Sequence, residues 1–126
     1  MKIDLNYLNR FGKIEIDSDF NIDESFYSDT DIRKLENLHV SGIVSVDYDD
    51  YVNFELKITG RMILPCAITL VDVPYDFDTN IEENIEKFEE IYKNNKNTLE
   101  ISEILWENIV LEIPIRVVSK DIKPSN

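Results

Sequence analysis

Apolar and polar residues alternate most regularly in the middle of the chain. Leu38, Val40, Gly42, Val44 and Val46 fall on one side of a two-residue period, and His39, Ser41 and Ser45 fall on the other, as in a half-buried strand. The turn formers of Asp47-Tyr48-Asp49-Asp50 interrupt this pattern. Val52, Phe54, Leu56 and Ile58 then alternate with Asn53, Glu55, Lys57 and Thr59, so two antiparallel strands are predicted. Met62, Leu64, Cys66, Ile68 and Leu70 keep the same period beyond Gly60, which reads as a bulge or bend within a long ribbon, with a turn as the alternative. Val71, Val73, Tyr75 and Phe77 alternate with Asp72, Pro74, Asp76 and Asp78. Pro74 has no N–H to give to a ladder, which puts this strand at a sheet edge.

After Thr79 the spacing reads as helical, through Ile81, Ile85, Phe88 and Tyr92, with Asn80 and Glu83 in a capping pattern. The polar run Lys93-Asn94-Asn95-Lys96-Asn97 should end that helix. Leu99 and Ile101 lead into a second helix from about Ser102, with Ile104, Leu105, Ile109 and Val110 inward, Glu103 and Glu107 outward, and Pro114 as its stop. Earlier in the chain, Lys13-Ile14-Glu15-Ile16-Asp17 reads as an edge strand with its charges outward. Residues 28–35 read as one or two helical turns or a loop. The expected architecture is one α+β domain over residues 1–126. Its curved antiparallel β-meander, a partial barrel built mainly from residues 38–78, is packed by two C-terminal helices. Residues 1–36 form a less regular N-terminal part, and 119–126 a disordered tail.

Composition narrows the chemistry. At 126 residues the chain suits a single core, and 43% hydrophobic and 10% aromatic content is that of a folding sequence. Thirteen Lys and Arg oppose 26 Asp and Glu, for a net charge of −13. A surface of this sign repels phosphate and favours basic protein partners. One cysteine, Cys66, and one histidine, His39, exclude an internal disulfide and a Cys/His zinc site within one chain. The sequence lacks an apolar leader and any run long enough to span a bilayer, so a cytoplasmic protein is expected.

The strand ending in Gly60, then Leu64-Pro65-Cys66-Ala67-Ile68-Thr69-Leu70, and the segment from Leu99 through Trp106 to Pro114 occur in an order that resembles the YceD family. The resemblance lies chiefly in the glycine-to-cysteine spacing and the pattern Ile-Leu-x-x-x-Ile-Val-Leu-x-Ile-Pro over residues 104–114, and it spans about residues 36 to 120. It implies a role in accumulation of large-subunit ribosomal RNA and no catalytic activity. Many family members have Cys-x-Arg-Cys-Leu where this chain has Cys66-Ala67-Ile68-Thr69-Leu70, and further cysteines after the proline matching Pro114. Ile68 and Thr69 replace the arginine and second cysteine here, so no metal role is carried over.

Candidate residues divide between sharp and plain roles. Cys66, inward on a strand, reads as a small hydrophobe in preference to a reactive thiol. His39 has no partner placed by any motif and reads as a surface strand residue in preference to a general base. Asp76 and Asp78 share a sheet face and would suit acid–base chemistry or a hard cation, yet nothing separates them from the other carboxylates. No catalytic residue, metal ligand or cofactor is therefore assigned. Trp106 is a candidate partner anchor or a packing residue. Arg116, Lys120 and Lys123 make the one basic stretch, a candidate for weak ribosomal RNA contact. The function expected is that of a non-enzymatic assembly factor that binds a basic ribosomal protein or large-subunit precursor. Direct RNA binding through the tail, aided by Lys57 and Arg61, is the alternative.

Overall fold

In the computed structural model, residues 2–49, 51–85 and 98–118 are described. The N-terminal segment forms a short strand β1 (Lys2–Asp4), helix α1 (Leu5–Phe11), strand β2 (Lys13–Asp19) and a single 3-10 turn (Glu24–Phe26). Three long strands follow, β3 (Lys34–Val46), β4 (Val52–Pro65) and β5 (Asp72–Ile85). Strand β6 (Thr98–Glu100) and helix α2 (Ser102–Val110) complete the order. Strands β2-β3-β4-β5 make an open four-stranded antiparallel sheet, and β1 pairs with β6 in a separate two-stranded one. The α+β class with an antiparallel meander is as the alternation predicts.

Each long strand sends alternate side chains to opposite faces, and the register aligns them in rows. Ile14, Val44 and Phe54 form one inner row, Ile16, Gly42, Leu56 and Ile81 the next, and Val40 with Ile58 a third. Leu5 and Leu8 of α1 and Leu105 and Ile109 of α2, all fully buried, join this face in one core with Ile3, Phe20, Ile22, Tyr27, Ile32 and Ile101. Each such aliphatic side chain contributes about 1.5–3 kcal/mol by leaving water. Among the described residues no polar or charged side chain is buried, so apolar burial stabilises the core without a desolvated charge to offset.

Helix α1 forms for local reasons that the alternation did not reveal. The Asp4 carboxylate accepts the N–H groups of Asn6 (2.9 Å) and Tyr7 (3.2 Å), an N-cap. Gly12 closes the helix with φ of 78° while its N–H donates to the Leu8 carbonyl, the left-handed C-terminal cap that glycine adopts at little cost.

Two expectations need correction. The helix predicted from Asn80 is not there over its first turn: Asn80–Ile85 is the end of β5, and the remainder, with Phe88 and Tyr92, lies outside the described residues. A spacing of four is also two strand periods, and Ile81 and Ile85 face Leu56 and Val52 across the β4 ladder. Of the two helices expected at the C-terminus, α2 is present, and the other described helix, α1, is N-terminal. The ribbon expected to run through Leu70 stops at Pro65 and turns over residues 66–71, whereas β4 runs through Gly60 with its pairing unbroken. The irregularity lies instead in β3, between Glu36 and His39, where Asn37 adopts φ of 56°.

Other features stand where the sequence puts them. Lys13–Asp19 is an edge strand, β5 with Pro74 is the opposite edge, and α2 exposes Glu103 and Glu107. It ends at Val110, before Pro114, and Ile104 and Val110 are only half-buried. Of residues 28–35, expected as helical turns or a loop, 28–31 form turns and Lys34 and Leu35 already belong to β3. At the β3–β4 turn, Asp47 accepts from the Asn53 side-chain amide and from the N–H groups of Tyr51 and Asp49. The Asn53 amide is the main cause that holds the Asp47 carboxyl below its usual range. The tail expected to be disordered, residues 119–126, lies outside the described residues.

Gly42 sets how closely β3 and β4 can approach. Its φ is 142°, and a methyl group there would overlap the Glu55 carbonyl oxygen and lie 2.8 Å from Leu56 Cα. Backbone cannot yield as a flexible side chain does. Gly42→Ala should therefore cost ~3 kcal/mol or more, from overpacking and backbone strain together. Gly12→Ala, where the added methyl meets nothing within 4 Å, should cost only ~1–2 kcal/mol from its left-handed backbone. Urea denaturation of both variants checks the ordering, and equal losses would contradict it.

Candidate functional site

The outward side chains of the same ladders form the candidate site. Row by row across β2, β3, β4 and β5 they are Lys13, Ser45, Asn53 and Asn84; then Glu15, Ile43, Glu55 and Glu82; then Asp17, Ser41, Lys57 and Asn80; then Asp19, His39, Thr59 and Asp78. Beyond the β3 irregularity, Glu36, Arg61 and Asp76 make a further row. Carboxylates dominate this face, and most of its cations are already engaged. Lys57 Nζ is 3.2 Å from Asp78, Arg61 Nε donates to Asp76 at 2.7 Å, and Lys34 lies 3.6 Å from Glu36.

The second row differs. Glu55 stands directly opposite Glu82, Glu15 sits in line with them across Ile43, and none has an ion-pair partner among the described residues. Like charges facing across a ladder cost roughly 0.2–1 kcal/mol. Beside them, around Ser41 and Asn80 of the third row, lies an open hollow of about 440 Å³ bounded also by Glu55, Lys57 and Glu82. The arrangement suits a cationic group brought by another molecule.

His39 is not the unpartnered residue that its sequence context suggested. Asp19 lies directly opposite it on β2, and Asp17 on the diagonal. Nδ1 is 2.8 Å from Asp19 Oδ1 and Nε2 is 2.5 Å from Asp17 Oδ1. A neutral imidazole can donate from one nitrogen only, so these two contacts favour the imidazolium and raise its pKa above the usual 6.5, Asp19 more than Asp17. The two acids recur at i and i+2 on an edge strand, a pattern visible in the sequence; their register against His39 was not. The three side chains are 39%, 80% and 93% exposed, where solvent screening keeps such pairs weak.

The remaining candidates are dispersed. Asp76 and Asp78 do share the outer face, but each is held by a different cation, Arg61 and Lys57. Cys66 is fully buried and accepts the Ile68 N–H at its sulfur, 3.5 Å away. Trp106 is half-buried on α2, with its ring 6.4 Å from Phe26 and 6.3 Å from Tyr27, so it joins the 24–27 turn to the C-terminal helix. Arg116 is exposed after α2 and lines a cleft with Asp31, Leu64, Cys66 and Leu70, and Lys120 and Lys123 lie outside the described residues. Among the described residues no group of three His, Cys, Asp or Glu could hold a metal ion, and no helix is long and apolar enough to cross a membrane.

The chain is similar to the uncharacterized protein YlbN of Bacillus subtilis, 32% identical over 127 residues that cover 93% of this chain and 73% of the relative. No family model matches the chain. No solved structure matches it either.

The pH dependence of the His39 cluster follows from its geometry. Because the folded-state pKa is raised, its contribution to stability is fully present below about 6.5 and is lost as pH rises through the folded-state value. NMR titration of the imidazole should give a pKa above 6.5 that falls towards it in Asp19→Asn, and less so in Asp17→Asn. An unchanged titration in both variants would contradict the two-carboxylate clamp.

Proposed function

The chain belongs to the family of the Bacillus subtilis protein YlbN, and we propose that it is a non-enzymatic factor of bacterial ribosome biogenesis. In this proposal it acts in the cytoplasm and supports accumulation of large-subunit ribosomal RNA by binding a basic ribosomal protein or an assembly precursor. The ribosomal setting rests on the resemblance to the YceD family carried by Gly60, the segment Leu64–Leu70 and the segment Leu99–Pro114. The mode of binding rests on the outer face of the sheet.

One observation carries it: Glu15, Glu55 and Glu82 lie in a single row with no counter-cation among the described residues. The folded protein bears their mutual repulsion, and a lysine or arginine from a partner would relieve it. Ribosomal proteins are cationic, so a net charge of −13 also speeds their encounter and disfavours phosphate at the same surface. Direct RNA binding through the tail, with Arg116 exposed, has less support from the sheet, where Lys57 and Arg61 each already face a carboxylate, Asp78 and Asp76.

The test combines binding with biology. The immobilised protein should retain one or more large-subunit proteins, freed of RNA, at low salt and release them as salt rises. The triple variant Glu15→Lys, Glu55→Lys, Glu82→Lys should weaken retention at least about tenfold without loss of stability. Retention untouched by these changes would remove the carrying observation. Depletion of the protein in its host should selectively reduce large subunits in ribosome profiles, and a normal subunit ratio would defeat the ribosomal part of the proposal.

A further inference from the structure

The hairpin between β4 and β5 presents a surface of different character. The Cys66 N–H donates to the Val71 carbonyl at 2.8 Å, the Leu70 N–H to the Cys66 carbonyl at 2.9 Å, and the Ala67 N–H to the Val117 carbonyl at 2.9 Å. The turn is thus fixed at both ends and tied to the segment that follows α2. Despite this order it holds large apolar side chains in water: Ile68 is 56% exposed, Leu70 65% and Val71 50%, and Ile115 across the junction is fully exposed. Between the two segments lies a cleft of about 250 Å³ whose apolar wall includes Leu64, Cys66, Leu70 and Ile115, with Asp31 and Arg116 as its charged residues.

Leu70 has φ of 65°, a left-handed conformation that costs a non-glycine residue stability. Glycine or asparagine would make this turn at less cost, and a mostly exposed leucine returns little burial. Folding alone therefore does not account for leucine here. An apolar side chain held outward on a fixed, strained backbone beside a cleft with an apolar wall is what a preorganised binding surface requires.

The occupant follows from charge. A second copy would bring another −13 against a molecule of the same charge, whereas the cleft itself, lined by Asp31 and Arg116, is locally balanced. A cationic polypeptide is attracted by the molecule as a whole. We propose that the Cys66–Val71 turn and its cleft are the apolar anchor for such a polypeptide, which seats an aliphatic or aromatic side chain beside Leu70. The proposal rests on the function given above and adds a division of labour: the acidic sheet face governs the rate of encounter, and the turn governs how long the complex lasts.

Leu70→Gly tests this cleanly, because it removes the anchor while relieving the backbone. With the RNA-free proteins of the large ribosomal subunit as probe, each protein retained by the wild-type chain is purified and its association and dissociation are followed. Leu70→Gly, and separately Ile68→Ser, should speed dissociation at least about tenfold and change association by less than about twofold. The thermal midpoint of Leu70→Gly should equal or exceed that of the wild type. Unchanged dissociation in both variants overturns the anchor while leaving the proposed function intact, whereas no retention by the wild-type chain sinks that function and the anchor with it. A concentration-dependent dimer abolished by Leu70→Gly would make the turn a self-association surface and overturn the choice of occupant.

Discussion

Strand β4 is bonded to β3 along one side and to β5 along the other over nearly its whole length, from Val52 to Pro65. Because a strand sends successive side chains to opposite faces, these two ladders place whole rows of residues together. Phe54, Leu56 and Ile58 go to the core and Glu55 and Lys57 to solvent. A slip of one residue would exchange the two sets, stranding large apolar groups in water and carboxylates among the aliphatic side chains of both helices. Unpaired charges in such surroundings cost several kcal/mol each. The register is therefore fixed by both faces at once, and the constraint that assembles the core also assembles the carboxylate row. Gly42 belongs to the same constraint, since the ladder between β3 and β4 leaves no room for a side chain at that point.

This explains which parts of the molecule were legible in the sequence. Alternation within β3, within β4 and along β5 as far as Phe77 is legible because each residue there answers to one face only, whereas Cys66, Ile68 and Leu70 keep the period by chance across a turn. Asn80–Ile85 was misread because Ile81 and Ile85 satisfy a helical spacing and a strand spacing equally, and the decision came from Leu56 and Val52 on a neighbouring strand. Helix α1 escaped notice because it has only seven residues, too few for a period, although its ends were marked by Asp4 and Gly12. The site was legible in the same uneven way. That acids would dominate the outer face followed from Glu15, Glu55 and their neighbours. That Glu55 would face Glu82 needed the register, as did the enclosure of His39 by Asp17 and Asp19. The placement of Trp106 against Phe26 and Tyr27 depended on chain packing across some eighty residues, which no local pattern encodes.

Charge on the outer face is unevenly settled along the strands. Towards the β4–β5 hairpin, Asp72, Asp76 and Asp78 are matched by Arg33, Arg61 and Lys57. Towards the β3–β4 turn, Glu15, Glu55 and Glu82 are unmatched among the described residues, and Asp47 and Asp49 follow. Exposed ion pairs contribute only about 0–1 kcal/mol to stability, so the matched end gains little in folding from its cations. What they change is the surface itself, which there becomes locally neutral and borders on Ile68, Leu70 and Val71.

A molecule arranged in this way separates two physical demands that conflict when they fall on the same residues. Rapid capture of a cationic chain needs unscreened carboxylates, but carboxylates must stay hydrated and so cannot supply a dry contact. A lasting complex needs apolar groups that exclude water, but on an unmatched acidic ground those groups would be ringed by strongly hydrated charge. In the proposed function, setting the unmatched acids at one end of the sheet and the matched acids beside the apolar hairpin would let each surface act without weakening the other. The attraction that speeds encounter would then act at the acidic end, where it falls off over a Debye length of about 8 Å at physiological salt, whereas contact at the hairpin would depend on the few side chains that touch.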